Sequence, residues 1–452
     1  MPHQSRSIIP EDNQPTPVPF REAFIYWLKL GFISFGGPAG QISMMHQELV
    51  EKRRWISEHR FLHALNYTMV LPGPEAQQLA TYIGWLMHGT WGGIVAGTLF
   101  VLPSFFILAA LTWIYLTLND TPAVSGILYG IKPAVTAIVV FAAYRIGSRA
   151  LNNAALKAIA LAAFIAISVF NLPFPYIVAL AALTGYLGSR YSPEKFQIRS
   201  QHAASSKDYG LAVIGDNTPI PDHARFRWSR FIVYLIIGLT LWGGALSLLA
   251  LQYGWQGTLT QMGWFFTKAA LMTFGGAYAV LPYVYQGSVE HYAWLSAAQM
   301  IDGLALGETT PGPLIMIVAF VGFVGGWSHV AEPGLQLWAG IAGAGVATFF
   351  TFLPSFLFIL LGGPSVEATR HDIKFTAPLT GITAAVVGVI ASLAVFFAYH
   401  VLWPDGLNAS FDWLALSIGI AAFSALFKYK LSIITVIGIC AATGWLLSAI
   451  IG

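Results

Sequence analysis

The sequence predicts an all-α polytopic membrane protein that is built from two repeats of inverted topology. Of its 452 residues, 56% are hydrophobic and only 10% are charged, whereas about a quarter of the residues are charged in an ordinary soluble domain. Long apolar runs follow one another along the chain, and rare motifs recur at a constant spacing. Equivalent loops of the two copies differ in their content of Lys and Arg.

The composition also excludes several classes of protein. The 23 basic and 20 acidic residues nearly cancel, so we expect no nucleic-acid-binding surface. A single cysteine, Cys440, excludes a disulfide framework and a thiolate metal site. His59 and His63 could share a helix face, but no third metal ligand accompanies them. No Walker motif, redox ligand set or Gly-x-Ser-x-Gly motif is visible. We therefore expect no metal, no cofactor and no enzymatic activity.

The order of polar and apolar segments predicts five parts. Residues 1–20 are polar and proline-rich, without the apolar core of a signal peptide, and are expected to form a cytoplasmic tail. The first repeat is predicted at residues 21–189, a cytoplasmic linker at 190–230 and the second repeat at 253–452. Between the linker and the second repeat, residues 231–252 are long enough for one transmembrane helix that has no counterpart in the repeat. One unpaired span inverts the second copy relative to the first.

Three motifs recur in the same order in both halves, the first two at an offset of 239 residues and the third, after an insertion, at 251. They are Phe35-Gly36-Gly37-Pro38 with Phe274-Gly275-Gly276-Ala277, Pro72-Gly73-Pro74 with Pro311-Gly312-Pro313, and Leu102-Pro103-Ser104-Phe105 with Leu353-Pro354-Ser355-Phe356. We call Pro72-Gly73-Pro74 the first PGP break and Pro311-Gly312-Pro313 the second PGP break. A gapless spacing over so many rare residues indicates an internal duplication.

The distribution of positive charge predicts the orientation of each copy. The loop before Trp55 contains Lys52, Arg53 and Arg54, whereas the equivalent loop around Trp294 contains neither Lys nor Arg. Since Lys and Arg near the ends of spans favour the cytoplasm, the two loops are expected on opposite sides of the membrane. This threading puts the N-terminus in the cytoplasm and the C-terminus in the periplasm.

Each copy is predicted to contain two broken helical segments followed by about four transmembrane helices. Glycine and proline lie in the middle of both segments, where they interrupt a helix and allow a tight reversal. We therefore favour re-entrant hairpins made of two half-helices, which gives nine spans and four hairpins. The alternative is four kinked full spans, which gives thirteen crossings. In the first copy, full spans are predicted at residues 92–118, 126–146, 156–170 and 175–187.

The breaks have the chemistry of an anion site. Proline at the first helical position leaves the next backbone N–H groups free, so second half-helices are expected to start near Pro38, Pro74 and Pro313. Free amides and the positive end of the helix dipole bind anions without any side chain. Candidate substrate-binding residues are therefore those at the breaks and the polar residues beside them: Lys29, Ser34, Gly36, Gly37, Pro38, Pro72, Gly73, Pro74, Gln77, Gln78, Lys268, Gly275, Gly276, Thr309, Thr310, Pro311, Gly312 and Pro313.

Lys29 and Lys268 occupy equivalent positions inside apolar half-helices. As a pair related by the repeat they could balance a dianion, because a buried lysine in the membrane is costly unless it has a function. The alternative is that each side chain extends to the headgroups. Lys132 is expected either to carry charge or to pack against a carboxylate.

Two carboxylates are candidates for proton coupling. Glu75 follows the first PGP break and Glu308 precedes the second, and neither has an acidic counterpart in the other copy. A carboxylate at a half-helix N-terminus could occupy the anion site and leave it on protonation, or it could merely cap its helix. Asp302 is expected to be a solvated residue near the outer surface. Gln77, Gln78, Thr309 and Thr310 are expected to donate hydrogen bonds to the oxygens of the anion.

The motifs resemble the chromate ion transporter family in its long two-domain form. The resemblance is carried by Phe35-Gly36-Gly37-Pro38, by the first PGP break with Glu75-Ala76-Gln77-Gln78 after it, and by the equivalent motifs of the second copy. It implies a carrier of the bacterial inner membrane that exports chromate, a tetrahedral dianion similar to sulfate, with the proton gradient. The second copy departs from the motif at Ala277 and Leu314, which implies that the first half contributes more to ion coupling.

Alternative functions remain open at this stage. Sulfate presents the same charge and nearly the same size to backbone amides, so a carrier of sulfate or another oxyanion is one alternative. A passive anion channel would share the half-helices and is another. A membrane-embedded hydrolase would need paired acids or a metal cluster, which the sequence lacks. The expected partners are chromate or sulfate, protons and the lipid bilayer, and a homodimer is an open alternative.

Overall fold

A computed structural model of the chain describes residues 16–35, 37–118, 121–192, 196, 209–216, 218–274, 276–330, 332–368, 376–404, 406, 408 and 410–451. The described residues form sixteen α-helices. They are α1 (Phe20–Ile33), α2 (Gly37–His46), α3 (Glu58–Val70), α4 (Glu75–Leu118), α5 (Pro122–Ala150), α6 (Ala154–Ser168), α7 (Phe174–Tyr191), α8 (Trp228–Tyr253), α9 (Thr258–Leu271), α10 (Ala277–Tyr285), α11 (Ala297–Thr309), α12 (Ile317–Ser328), α13 (Gln336–Ala368), α14 (Thr376–Leu402), α15 (Trp413–Phe427) and α16 (Ile433–Ile451).

Six of these helices, α4, α5, α8, α13, α14 and α16, are long and apolar enough to cross a membrane. This finding confirms the predicted all-α membrane protein. The spans predicted in the first copy overlap the second part of α4 and helices α5, α6 and α7. Helices α6 and α15 have 15 residues each, which span about 22 Å and are shorter than a typical hydrocarbon core. The count of nine spans remains a prediction.

The first broken segment folds back on itself. Arg53, which follows α2, forms an ion pair with Glu22 in the first turn of α1, with the Nη1 and Oε1 atoms 3.0 Å apart. The rings of Tyr26 and Trp55 pack edge to face with their centroids 5.3 Å apart. Residues at the two ends of the segment are therefore neighbours, so α1 and α2 form a hairpin rather than a kinked span.

The second broken segment reverses at the first PGP break. Arg60 near the start of α3 and Tyr82 in α4 both bind the carboxylate of Glu367, at 3.0 Å and 2.5 Å. If α3 continued straight into α4, the 22 residues between Arg60 and Tyr82 would separate them by about 33 Å. The rings of Tyr67 and Tyr82 also pack with their centroids 5.7 Å apart. The described geometry is therefore that of a hairpin and not that of the alternative kinked span.

The second half contains the same two hairpins. Phe265 of α9 stacks on Tyr283 of α10 with a ring-centroid distance of 4.9 Å, which brings the two helices side by side. Gly303 of α11 lies directly against the ring of Phe320 of α12, so these helices also fold back on each other. Both pairs reverse at the glycine-containing motifs that the sequence marks as helix breaks.

The two copies share local backbone features at the 239-residue offset. A π-helical turn follows the second half-helix of each copy, at Gln47–Lys52 and Gln286–His291. The next loop contains a non-glycine residue with positive φ in both copies, Arg54 at 53° and Ala293 at 50°. Such conformations are uncommon for side-chain-bearing residues, so their recurrence at equivalent positions is strong evidence that both copies fold alike.

Helix α4 contains a reversal of its own that sets the relative positions of the hairpins. His88 and Gly89 have non-helical dihedrals, and Gly84 lies against Gly92 and Ala96, so residues 75–87 and 90–118 run antiparallel. The base of the first-half hairpins lies near the start of the long helical segment formed by residues 90–118. Its other end, about 38 Å away, is where Tyr115 binds Asp302 at the base of a second-half hairpin. The two hairpin bases thus lie near opposite ends of residues 90–118, and the inversion of the repeats remains a prediction.

The remaining helices interlock the two halves. Helix α5 of the first half packs on α16 of the second, where Gly130 lies against the backbone of Cys440 and Gly444. Helix α14 of the second half packs on α6 and α7, where Gly388 lies against the backbone of Ala160. Small residues allow these close helix contacts, which are typical of membrane bundles. The predicted linker also contacts the first half, because the Ile214 amide donates to the Trp55 carbonyl at 3.0 Å.

Candidate substrate site

The tips of the hairpins from the two halves bind each other reciprocally. The Gly73 amide of the first PGP break donates a hydrogen bond to the Thr273 carbonyl at 2.8 Å, and the Gly312 amide of the second donates to the Ser34 carbonyl at 2.7 Å. Gly73 and Gly312 are equivalent in the repeat, as are Ser34 and Thr273. Each PGP break is therefore bound by the residue that precedes the Phe-Gly-Gly motif of the opposite half.

Glycine is required at the centre of both breaks. The φ angles are 124° at Gly73 and 108° at Gly312, which side-chain-bearing residues rarely adopt. A Cβ atom at Gly73 would also lie 2.6 Å from Nε2 of Gln78, and a Cβ atom at Gly312 would overlap the hydroxyl of Ser104. The backbone reversal thus depends on the absence of a side chain.

Two buried serines contact the breaks from the opposite half. The Ser104 hydroxyl of α4 donates to the Pro311 carbonyl in the second break, and Ser355 of α13 lies against Gly73 and accepts a hydrogen bond from Gln78 at 3.4 Å. Neither serine is among the site residues that the sequence predicts. The signal was present, because both belong to the repeated Leu-Pro-Ser-Phe motif.

Four helical starts lie at the breaks. Helix α4 begins at Glu75 directly after Pro74, and α2 begins at Gly37 with Pro38 in its first turn. In the second half, α10 begins after Gly276, whereas the second PGP break is followed by a 3₁₀ turn, Leu314–Met316, before α12. The first N–H groups of each start have no partner within their own helix and are available to an anion. The predicted residues Gly36 and Gly275 lie outside the described residues.

Gln77 and Gln78 are fully buried in the first turn of α4, and the amide nitrogen of each already donates a hydrogen bond within the protein. Nε2 of Gln77 donates to the Thr81 hydroxyl at 3.0 Å, and Nε2 of Gln78 donates to the Pro72 carbonyl at 2.8 Å. Gln78 uses both of its N–H groups, because it also donates to Ser355, whereas Gln77 uses one of two. The Oε1 atom of each has no hydrogen-bond partner among the described residues, and donation to the anion remains a prediction.

Gln41 of α2 is a third buried glutamine at the site, and the sequence did not single it out. Its Nε2 donates to the Gly312 carbonyl at 2.5 Å and more weakly to the Ser34 carbonyl at 3.3 Å. It therefore bridges the two chain segments that meet at the second PGP break. Its position in the middle of an apolar half-helix was the only available signal. Ser34 is also fully buried, and its hydroxyl has no hydrogen-bond partner among the described residues.

The two candidate proton-coupling carboxylates have different surroundings. Glu308, at the end of α11, is 9% exposed and accepts a hydrogen bond from the Tyr278 hydroxyl of α10. Glu75 is half-buried in the first turn of α4 and makes no hydrogen bond or ion pair with the part of the chain that the structure describes. Thr309 and Thr310 follow Glu308, but their hydroxyls donate to carbonyls of their own helix, at 2.7–3.1 Å. In this state they do not donate toward the break.

The two predicted lysines, Lys29 and Lys268, have different surroundings, and neither lies in the contacts at the breaks. Lys29 is exposed on α1, about one and a half turns before Ser34, and Lys268 lies over the ring of Trp264 with Nζ 5.6 Å from the ring centroid. No hydrogen bond joins either ammonium group to a described residue at the breaks. Whether they bind substrate in another state remains a prediction.

Asp302 is buried, and the expectation that it is solvated is wrong. Only 3% of its surface is exposed, and it accepts a hydrogen bond from Tyr115 at 3.0 Å. Lys132 lies 3.6 Å from its other oxygen, which agrees with the alternative that this lysine packs against a carboxylate. The residue is buried because α11 folds back toward α4 and α5, which the local sequence does not show.

Within the described residues, no group of three or more His, Cys, Asp or Glu side chains is arranged to hold a metal ion. The arrangement that the structure does show is a meeting of four helix starts and two backbone reversals, with buried amides and two carboxylates around them. This arrangement suits the binding of a small oxyanion, because backbone donors converge where glycines allow close approach.

Comparison with known proteins agrees with this chemistry. A sequence model of the family described as "Chromate transporter" matches residues 21–186 and 260–445. A chromate transport protein of Pseudomonas aeruginosa is 30% identical over 433 residues, which cover 96% of this chain and 93% of that protein. A chromate transport protein of Cupriavidus metallidurans is 30% identical over 378 residues, covering 84% and 82%.

An uncharacterized transporter of Methanocaldococcus jannaschii is 26% identical over 428 residues, which cover 94% of this chain and 93% of that protein. No solved structure matches the chain. The named relatives are transporters and not enzymes, in agreement with the prediction from the sequence. The family model and the relatives both match most of the chain, so this multi-pass membrane protein belongs to the chromate transporter family.

Proposed function

We propose that this chain is a secondary carrier that exports chromate across the bacterial inner membrane in exchange for protons. The observation that carries the proposal is the reciprocal contact between the two halves, Gly73 with Thr273 and Gly312 with Ser34. A site formed at the contact between two repeats can be opened to either side when one repeat moves against the other. The predicted inversion, with the N-terminus cytoplasmic and the C-terminus periplasmic, is part of this proposal.

The anion is proposed to bind at the start of α4. The N–H groups of its first turn point out of the helix, and the positive end of the dipole favours an anion. The residues at the two PGP breaks, with Ser34, Gly37, Pro38 and Gly276, position these backbone groups. The exposed Lys29 and the partly exposed Lys268 contribute positive potential along the route to the site rather than a direct contact in this state.

Glu75 and Glu308 are the proposed proton carriers. A charged Glu75 carboxylate at the start of α4 competes with the anion for the same amides, and protonation removes that competition. Glu308 is held by the Tyr278 hydroxyl, which stabilises its charged form until the break reorganises. The proton that displaces the Glu75 carboxylate would enter from the periplasm and leave to the cytoplasm once the anion has gone and the charged carboxylate returns to these amides.

The test is transport of radiolabelled chromate into inverted membrane vesicles or proteoliposomes with an imposed pH gradient. We expect uphill uptake that collapses with the gradient and is lost in Glu75→Gln, whereas Glu332→Gln, at an exposed loop position, behaves like the parent. Uptake that ignores the gradient would indicate a channel. Equal uptake of sulfate would indicate a general oxyanion carrier. Vesicles that contain folded protein but take up no chromate would overturn the proposal.

A further inference from the structure

Three buried glutamines each leave a hydrogen-bond acceptor unpaired at the breaks. Gln41, Gln77 and Gln78 are each 0% exposed. Among the described residues, the Oε1 atom of each has no hydrogen-bond partner, although each Nε2 atom has at least one. A buried amide oxygen without a partner costs about 1–3 kcal/mol, so three of them beside one site call for a ligand that donates.

The orientation of each amide follows from its neighbours. Nε2 of Gln41 and of Gln78 faces backbone carbonyls, at Gly312 and Pro72, which only a donor can bind. Gln77 faces the Thr81 hydroxyl, whose own proton is donated to the Gln77 carbonyl, so this hydroxyl accepts from the side chain. Rotating the amide of Gln41 or Gln78 by 180° would place two acceptors against each other. The Oε1 atoms of these two glutamines are therefore the unpaired atoms, while Gln77 leaves its Oε1 and one N–H unpaired within the described part of the chain.

These acceptors lie at both breaks. The amide group of Gln78 is bonded to Pro72 within the first PGP break, and that of Gln41 is bonded to Gly312 within the second. Their repeat equivalents are Ile317 and Val280, which cannot hydrogen-bond through their side chains. The first half thus supplies one unpaired acceptor to each break, and Gln77 adds a third beside the start of α4.

We infer that the site recognises the singly protonated oxyanion, hydrogen chromate, rather than the dianion. This inference rests on the proposed function and names the form of its substrate. A fully deprotonated tetrahedral oxyanion carries acceptors only and has nothing to offer an amide oxygen. The hydrogen oxyanion carries one O–H donor for a glutamine oxygen, and its remaining oxygens accept from the N–H groups at the start of α4.

Charge supports the same form. Glu75 and Glu308 both belong to the breaks, and like charges brought together in a membrane site are strongly unfavourable. A monoanion meets half the repulsion of a dianion and is cheaper to desolvate. The neighbouring titratable and charged groups are Glu75 on α4, Glu308 on α11 and Tyr278 on α10, with Arg145 on α5 acting on Tyr278 and with Lys29 and Lys268 farther along α1 and α9.

Recognition of the protonated form predicts discrimination against sulfate. Hydrogen chromate loses its proton close to neutral pH, whereas hydrogen sulfate does so only in strong acid. Near neutrality chromate is therefore partly protonated and sulfate is not, although the two dianions have the same shape and charge. A site that needs the O–H group selects chromate through protonation rather than through size.

The test is equilibrium binding of radiolabelled chromate and radiolabelled selenate to the purified full chain at several pH values. Selenate is a tetrahedral dianion that stays unprotonated near neutrality and meets the same protein carboxyls. We expect the apparent affinity for chromate to fall roughly tenfold per pH unit above neutrality, in step with the protonated fraction, and selenate to bind at least about tenfold more weakly throughout. Chromate affinity that is independent of pH would overturn the inference.

A parallel rise of selenate and chromate affinity on acidification would also overturn it, because the titrating group would then belong to the protein. The variant arm uses Gln77→Met, which removes one acceptor, with Gln261→Met as the matched control at a glutamine outside the breaks. We expect Gln77→Met to weaken chromate binding at acidic pH more than at alkaline pH, and Gln261→Met to leave it unchanged. Chromate bound equally at all pH values would refute this inference but not the proposed function, whereas chromate that binds at no pH would refute the latter.

Discussion

The two PGP breaks have the same backbone and opposite chemistry. Both contain a glycine with φ above 100°, and both bind the opposite half through the same pair of equivalent positions. The first is followed by Glu75, Gln77 and Gln78. The equivalent residues after the second are Leu314, Met316 and Ile317, which are all buried. Duplication has kept the reversal, while the polar groups have remained or arisen on one side only.

This difference separates what a break must have from what an anion needs. The reversal depends on glycine and proline, since any other residue at the centre would be strained or would collide, so both copies keep it. A single anion needs only one set of polar partners, and a second buried set would be costly without a ligand. The second half instead carries its carboxylate before the break, where Glu308 binds Tyr278.

The ion pairs at the hairpin bases differ in burial, and this difference predicts the largest change in stability. Arg60 and Glu367 have 3% and 2% of their side-chain surface exposed, whereas Lys132, the partner of Asp302, has 32%. Glu367→Gln leaves a buried guanidinium uncompensated and should lower the free energy of unfolding by about 3–5 kcal/mol. This loss would be measured as a lower melting temperature in detergent. Asp302→Asn should cost clearly less because Lys132 can reach water. Equal losses in the two variants would contradict this ranking.

The glycines at the two breaks predict the next effect. Gly73→Ala and Gly312→Ala should each cost about 1–3 kcal/mol from backbone strain, with a further loss from the collision with Gln78 or Ser104. Thermal unfolding followed by tryptophan fluorescence would measure it. Gly254, which has a φ of 73° but nothing within 4 Å of an added Cβ, is the control for strain without collision. Ser104→Ala should partly rescue Gly312→Ala and leave Gly73→Ala unimproved.

Making the second break polar tests whether its apolar residues are required. Met316, the equivalent of Gln77, is 2% exposed among apolar neighbours. Met316→Gln should destabilise the protein by about 1–3 kcal/mol because its amide lacks partners there. Chromate flux per folded molecule should not increase. Gain of chromate affinity in this variant would show that the second break can bind the anion and would break the proposed asymmetry.

The two serines predict the smallest effect. Ser104→Ala removes a buried donor to the Pro311 carbonyl and should cost about 1 kcal/mol. Ser355→Ala should cost less, since its contact with Gln78 is long at 3.4 Å. The same melting experiment compares them, with Ser189→Ala, a half-buried serine outside the breaks, as the control. A larger loss at Ser355 would indicate that this serine does more at the first break than hold Gln78.

Features that depend on a few neighbouring residues could be predicted from the sequence. Proline and glycine restrict or free the backbone locally, so the breaks and the helix starts after Pro38 and Pro74 appear in the structure near their predicted positions. The hairpins are predicted from the same residues, since glycine and proline in the middle of each segment allow a tight reversal. The choice between hairpin and kinked span was decided by contacts such as that of Arg60 and Tyr82 with the same Glu367.

The partners of the site residues could not be predicted. Gln41 binds Gly312, Ser104 binds Pro311, and Asp302 meets Lys132, each across more than 160 residues of chain. No local propensity encodes such pairs, because they arise only when helices from both halves pack. For the same reason the sequence does not show that Gln77 donates to Thr81, or that Gln78 donates to Pro72 and to Ser355 of the opposite half.

The sequence by itself determined the helical membrane class, the duplication, the positions of the breaks and the polar residues beside them. These follow from hydropathy, from the rigidity of proline and from the freedom of glycine, all of which act over a few residues. Only the tertiary structure decided which half binds which break, which carboxylates are buried and which amide atoms remain unpaired. Those properties depend on distances between segments far apart in the chain, which packing sets.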